Sequence, residues 1–303
     1  MMLRKKILRK IYFTTLIIFI LFVISSFALN KNFSNIKVEY QTKLSSIYLL
    51  DDNDYLLKVN IVVKNNLMDN IPIVINSMKE DNKHYSGLRG IIPSNTKIQD
   101  IKIDKDVLII DFNNELLNIN SEYEEKVIES IVYTLLEFKE INGVKITINK
   151  HPLEKLPKSN IHLASVLTKD FGINKTYHLT SMNDIQKVVL YYYEEKNANN
   201  YYVPITKYVN SHDDKIKIII ENLKTNYLAE TNLMSYVNEK VSLEKYEYEN
   251  NIVTLTFASV ADFSTLPVSE EVIYTLANSI MDSMNVEKVI FMQNESIIKI
   301  ESR

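Results

Sequence analysis

Cysteine is absent from the 303 residues, which excludes disulfides, thiol catalysis, cysteine-ligated metal and a lipid carried on a cysteine. Glycine is scarce. Gly87, Gly90, Gly143 and Gly172 form no phosphate-cradling loop and no Gly-x-Ser-x-Gly elbow. Arg89, between two of them, is read as part of a turn after a helix, with anion binding as the alternative. Tryptophan is missing beside abundant Ile, Asn, Lys and Tyr, the bias of an AT-rich genome, so asparagine is given no functional weight. The five histidines, His84, His151, His162, His178 and His212, form no HExxH and no closely spaced pair, and each is read as a loop histidine. Among the 38 acids no pair stands out as wall-hydrolase carboxylates. The expectation is a protein without cofactor, metal or catalytic site.

What is present begins at the N-terminus. Arg4, Lys5, Lys6, Arg9 and Lys10 precede an apolar run from Ile11 to Leu29, interrupted only by hydroxyl residues. A membrane-spanning helix needs ~20 mostly apolar residues. The basic flank stays in the cytoplasm, which places all that follows outside. The alternative is a secreted chain cleaved near Ala28, because Ser26-Phe27-Ala28 resembles a small-x-small site. A signal core spans only ~7–15 residues, so the longer run favours a retained, single-pass anchor. Beyond the basic tail, 30 basic residues face 38 acidic ones, a net −8. That balance gives no footprint for nucleic acid and no attraction to an anionic membrane surface.

The remaining length, at ~150 residues per domain, suits two units, and the chain laid on itself reveals them. A shift of 145 sets Leu88 on Leu233, Phe112 on Phe257, Val127 on Val272, Ile128 on Ile273 and Val144 on Val289. Apolar character follows, with Ile98 on Leu243, Ile101 on Tyr246, Ile103 on Tyr248, Ile110 on Leu255 and Ile131 on Leu276. At the start Ile47 meets Val188, a shift of 141. Solenoid repeats are only ~20–50 residues, so a unit of this size predicts tandem domains.

Each unit reads as strand (46–50 or 187–193), strand (57–63 or 201–209), helix (68–79 or 214–224), hairpin, longer helix and last strand (144–148 or 289–292). Ser121 and Glu124 have capping-box spacing ahead of the helical series Val127, Ile131, Leu135 and Phe138. Ser269, Glu270 and Glu271 supply a cap and a negative first turn in the second unit. The hairpin acids are not shared: Asp111 falls on Thr256 and Asp106 on Asn251, though Asp104 meets Glu249. The hairpin is therefore architecture, and Phe112 and Phe257 are equivalent core positions.

The stretch GLRGIIPSNTKIQDIKIDKDVLIIDFNNELL, followed by a helix and INGVKITIN, resembles the GerMN-domain family. The positions that carry it are Pro93, Thr96, Ile98, Asp111, Phe112, Gly143 and Val144. The second copy departs at Asn238, Thr256 and Lys288, and the resemblance runs from Ile47 to Met292. It implies an α+β fold: a transmembrane helix, then two tandem GerMN-like domains, each a mixed sheet with two helices on one face. The expected divisions are a basic tail at 1–10, an anchor at 11–29, domains at 40–150 and 187–299, and a linker at 151–186. Phe171 and Ile173 imply that part of this linker docks on a domain.

The resemblance also implies a non-enzymatic scaffold of the sporulation apparatus. It would help assemble a channel between mother cell and forespore, with effects on germination, beside other exported proteins of that complex. Relatives are usually held by a lipidated cysteine, which this chain lacks. A wall-associated glycan or peptide-binding module is the alternative, with possible peptidoglycan contact. Tyr191, Tyr192, Tyr193, Tyr201 and Tyr202 read either as cross-strand packing or as a partner surface. Their outward members are the candidate contact residues. If the anchor is retained, N-terminal sequencing of membrane-extracted protein reads residues ahead of Ile11; a mature chain beginning at Leu29 refutes it.

Overall fold

The first repeat opens on an antiparallel hairpin, β1 (Lys43–Leu50) and β2 (Leu56–Val63). Helix α1 (Leu67–Ser77), a second hairpin of β3 (Ile98–Asp104) and β4 (Val107–Phe112), helix α2 (Glu124–Leu135) and β5 (Gly143–Ile148) follow. Short strands β6 (His151–Pro152) and β7 (Thr176–His178) come between the repeats. The second repeat replays the order as β8 (Ile185–Lys196), β9 (Asn199–Asn210), α3 (Lys215–Lys224), β10 (Leu243–Glu249), β11 (Ile252–Phe257), α4 (Ser269–Met284) and β12 (Lys288–Gln293). It then adds β13 (Ser296–Ser302). The shift of 145 carries β3, β4 and β5 onto β10, β11 and β12 residue for residue.

This computed structural model describes residues 43–64, 66–82, 87–224, 233–237, 241–258 and 269–303. The basic tail, the expected anchor, His84, Asn238 and the Ser269 side chain lie outside the described residues. No described helix is long and apolar enough to cross a membrane.

The expectation of one mixed sheet per repeat needs correction. Each repeat keeps a private four-stranded sheet, β3-β4-β5-β6 or β10-β11-β12-β13, parallel at its centre and antiparallel at its edges. The opening hairpins leave these sheets and join each other in a five-stranded one. There β9 pairs with β8 along one side, and with β2 and β7 along the other. The physical reason is burial on both faces: Val188 to Tyr193 are all buried, as are Ile47 to Leu50. Continuous apolar strands of this kind are covered on both sides. The private sheets instead show Phe112, Ile110 and Leu108, or Phe257, Leu255 and Val253, to the core. Phe112 and Phe257 hold the equivalent buried places that the repeat predicts.

The residues between the repeats do more than connect them. Lys58 pairs with Tyr202, so the next antiparallel step sets Leu56 opposite Pro204, which has no N–H to give. Asn174 fills that step. Its Oδ1 accepts from Leu56 N at 2.9 Å, and its Nδ2 donates to the carbonyls of Leu56 and Pro204, each at 2.9 Å. Its own N–H donates to Glu129 of α2 at 3.0 Å, and Lys126 Nζ donates to its Oδ1 at 2.9 Å. Asn174 sits at φ +48 just after Gly172 at φ +82, where a Cβ would meet Thr206 at 3.2 Å. This doubling of the chain delivers the amide into the seam.

Helix hydroxyls close the outer edges of the shared sheet. Ser130 donates to Tyr48 O at 2.7 Å and Tyr48 N donates to Thr134 Oγ1 at 3.1 Å. In the second repeat Val189 N and Tyr191 N donate to Ser283 and Ser279 at 2.7 and 2.9 Å. The capping box is a second correction: Tyr123 occupies the cap of α2 without a side-chain bond. Glu124 instead accepts from Lys158 N at 3.0 Å and Ser159 N at 2.6 Å, tying the inter-repeat segment to the helix start.

Asn174→Asp keeps the shape of the side chain but turns a second oxygen toward the Leu56 and Pro204 carbonyls. Two buried acceptors lose their donor, at about 1–3 kcal/mol each. Urea unfolding should show a loss of about 2–6 kcal/mol; an unchanged midpoint refutes the bridging role.

Candidate functional site

The outward members of the five tyrosines were candidates for a partner surface, and the structure buries four of the five. Tyr191, Tyr192, Tyr193 and Tyr201 are buried, at 1, 4, 5 and 7 % exposure, and Tyr202 is half-buried. Tyr202 stacks on Tyr274 with ring centroids 3.9 Å apart, while Tyr193 meets Tyr202 and Tyr236 edge-on. The cause is their position on strands covered on both faces. Side-chain alternation exposes one set only when one face is wet.

The chemistry-bearing groups gather where the repeats meet, in two matched cells. In one, Glu137 accepts from the Tyr48 hydroxyl at 2.9 Å and pairs with Lys58 at 2.8 Å. In the other, Asp282 accepts from the Tyr191 hydroxyl at 2.7 Å and pairs with Lys169 at 2.7 Å and Arg303 at 2.8 Å. Glu137 and Asp282 are separated by the repeat shift itself. Burial alone would raise the Asp282 pKa, but Lys169, Arg303 and the tyrosine hydroxyl outweigh it and hold the carboxyl at about 2. Burial and the nearby carboxylates push the Tyr48 and Tyr191 hydroxyls well above the usual phenol range. These groups are locked as a charged carboxylate and neutral phenols around neutral pH. Neither is poised to exchange protons.

A third buried cell joins the first repeat to the inter-repeat segment. Lys175 pairs with Glu125 at 2.6 Å and Glu129 at 3.2 Å and lies over the Phe171 ring at 3.7 Å. Burial raises the Glu129 pKa, against the pull of Lys175 and Lys126.

The other candidates disperse. Asp111 is buried and accepts from Thr147 Oγ1 at 2.6 Å and Lys150 N at 2.8 Å, a bond set that shapes the β5–β6 turn. Asp104 is exposed, and Asp106 accepts from Asn142 at 3.1 Å beside its turn. His151, His162, His178 and His212 are exposed, and His212 lies 3.4 Å from Asp184. No three His, Asp or Glu side chains converge as a metal site among the described residues. Arg89 serves through its backbone, exchanging bonds of 2.9 and 3.0 Å with Leu50, while its guanidinium lies over Tyr123. A groove of 580 Å³ runs between α1 and β3, lined by Pro72, Ile75, Lys79, Thr96, Ile98 and Ile101. Its nearest acid, Asp100, is held by Lys102 at 2.6 Å.

Sequence reasoning missed the matched acids, although the shift of 145 superimposes Glu137 on Asp282 and would have disclosed them. It missed Asn174 because asparagine had been discounted as background.

The arrangement defines a class: a duplicated α+β unit whose halves share a sheet and bury their ionic groups in mutual contact. Comparison with known proteins shows what the chain is similar to. Residues 46–154 match the family Germane, described as sporulation and spore germination. The chain is 28% identical over 259 residues to the spore germination protein GerM of Bacillus subtilis strain 168, covering 82% of this chain and 70% of that protein. The solved tandem GerMN domains of the sporulation protein GerM from Bacillus subtilis share the fold, with a TM-score of 0.73 at 23% identity. That match spans 84% of this chain and 92% of the other. The chain thus resembles the GerMN-domain family, and its fold is that of tandem GerMN domains.

A carboxyl whose pKa drops from 3.8 unfolded to about 2 folded contributes about 2 kcal/mol above its unfolded value. That contribution disappears as pH falls from about 4 through about 2. Urea midpoints measured stepwise across this range should fall, and Asp282→Asn should remove this component of the fall. An identical acid limb in the variant refutes the assignment.

Proposed function

We propose that this chain is a non-enzymatic assembly protein of sporulation and germination. In this reading Ile11–Leu29 holds it in the membrane and its folded part works on the outer side. There it joins other exported proteins of the mother cell–forespore channel. The observation that carries the reading is the similarity to the spore germination protein GerM along 82% of the chain. Fold alone does not give function, so the site must agree. It does so in one respect: the acids and tyrosines at the repeat junction are engaged in buried hydrogen bonds and ion pairs with one another. Association then falls to exposed strands and loops, where a few central residues carry most of the affinity.

The wall-binding alternative rested on outward tyrosines, and four of those five are buried. Two experiments test the proposal. Deleting the gene in its own organism should lower the yield of heat-resistant spores or their germination, and the intact gene should restore it. Incubating the purified protein with peptidoglycan should give neither pelleting nor muropeptide release. Pelleting without cleavage would favour the wall-binding module, and released muropeptides would make the protein a hydrolase.

A further inference from the structure

Strand edges are treated unequally in this molecule. Helix hydroxyls cover the outer edges of β1 and β8. In the first repeat, the place beyond β5 is taken by β6 and by Leu167, which exchanges bonds of 2.8 Å with Val144. The second repeat has β13 there, and no described strand pairs with the outer edge of β13. That strand, SIIKIES, shows Ile297, Ile298 and Ile300 at 58, 37 and 48 % exposure. A long apolar edge with free backbone groups is a template for another strand. The β10 edge differs: Glu244, Glu247 and Glu249 outnumber its single Lys245, which pairs with Glu247 at 3.2 Å, and the net negative charge opposes self-pairing.

We propose that β13 pairs with β13 of a second copy of this chain, antiparallel across a two-fold axis with Ile300 opposite Ile300. The two second-repeat sheets then become one continuous sheet. The register follows from the backbone. Arg303 N donates to Glu287 O at 3.1 Å, and the β12–β13 pairing runs unbroken from Lys288↔Ser302 to Phe291↔Lys299. Backbone groups of successive residues point to alternate sides of an antiparallel strand. Those of Glu301 and Lys299 therefore serve β12, and those of Ile300 and Ser302 point outward. Ile300 is the outward residue at the centre of the strand, so it becomes the hydrogen-bonded pair on the axis.

This register is complementary in charge and in apolar surface. It sets Lys299 of each copy opposite Glu301 of the other, in the non-hydrogen-bonded positions where facing side chains come closest. Ile300 lies opposite Ile290 within its own sheet, so the contact extends an aliphatic row on the sheet's outer face. Centring on Lys299 would make it a non-hydrogen-bonded pair with its own counterpart and so oppose like charges at the closest approach. The isologous contact closes at two copies.

The absence of native cysteine makes crosslinking clean. Ile300→Cys in the full chain, in membranes under mild oxidation, should give a disulfide-linked dimer. Hydrogen-bonded antiparallel pairs have Cα atoms about 5.5 Å apart, within disulfide reach. Ser302→Cys would lie about 13 Å from its counterpart, four residues along the strand, and should crosslink at least ~5-fold less because disulfides do not reach that far. Adding Lys299→Glu to Ile300→Cys should lower the yield by a similar factor, and adding Glu301→Lys as well should restore it. Sedimentation of the cysteine-free full chain in detergent, with and without Lys299→Glu, reads the same contact independently of the thiol. The proposal is overturned by any of four results. These are no dimer from Ile300→Cys, equal dimer from Ser302→Cys, a Lys299→Glu loss that Glu301→Lys does not reverse, or crosslinks formed only to other proteins.

Discussion

One amide side chain completes the seam along which the two repeats of this protein share a sheet. The shared sheet has a fault at Leu56 and Pro204, where proline cannot complete the pair, and Asn174 supplies the missing donor and acceptor. Glu129 and Lys126 of α2 then hold Asn174 itself. A buried backbone group left unpaired costs about as much as a whole hydrogen bond contributes. Pro204 and Asn174 are thus mutually dependent. The strand tolerates the proline only because the residues between the repeats deliver an amide to the gap.

Much of the architecture was legible in the sequence. The shift of 145 placed the second hairpins and the last strands of both repeats, and Phe112 and Phe257 are buried as it implied. Period and self-similarity see local structure well because each strand's alternation reports which face is core. They do not see pairing between distant segments. Nothing local in Leu56-Leu57 or Tyr201-Tyr202 reveals that the two hairpins share a sheet. The tyrosine strands show the same limit: Tyr191–Tyr193 form a run apolar on both faces, and only the covering layers decide whether one face is wet. The capping box failed for a related reason. Glu124 had the spacing to bond locally and was taken by Lys158 and Ser159.

Asparagine was the other misread signal. With so little glycine, left-handed positions must be filled by residues whose short polar side chains tolerate them. Asn197, Asn250, Asn251 and Asn294 have positive φ in the hairpin turns, and Asn149 does so one repeat earlier than Asn294. Genome composition supplies the asparagines in bulk. The fold uses particular ones where the β-hairpin twist demands φ above zero.

The duplication also explains why one repeat can change where the other cannot. A Cβ on Gly143 would meet Val166 at 2.5 Å, because the segment after the first repeat returns over the start of β5. Lys288 holds the equivalent place at the start of β12, where the chain turns back as β13 instead. The departure from the family pattern at Lys288 thus follows from what covers each sheet. The same difference leaves the first repeat's edge occupied by its own chain and the second repeat's edge facing outward. Two copies of one unit, once joined at Asn174, no longer have the same surface to offer.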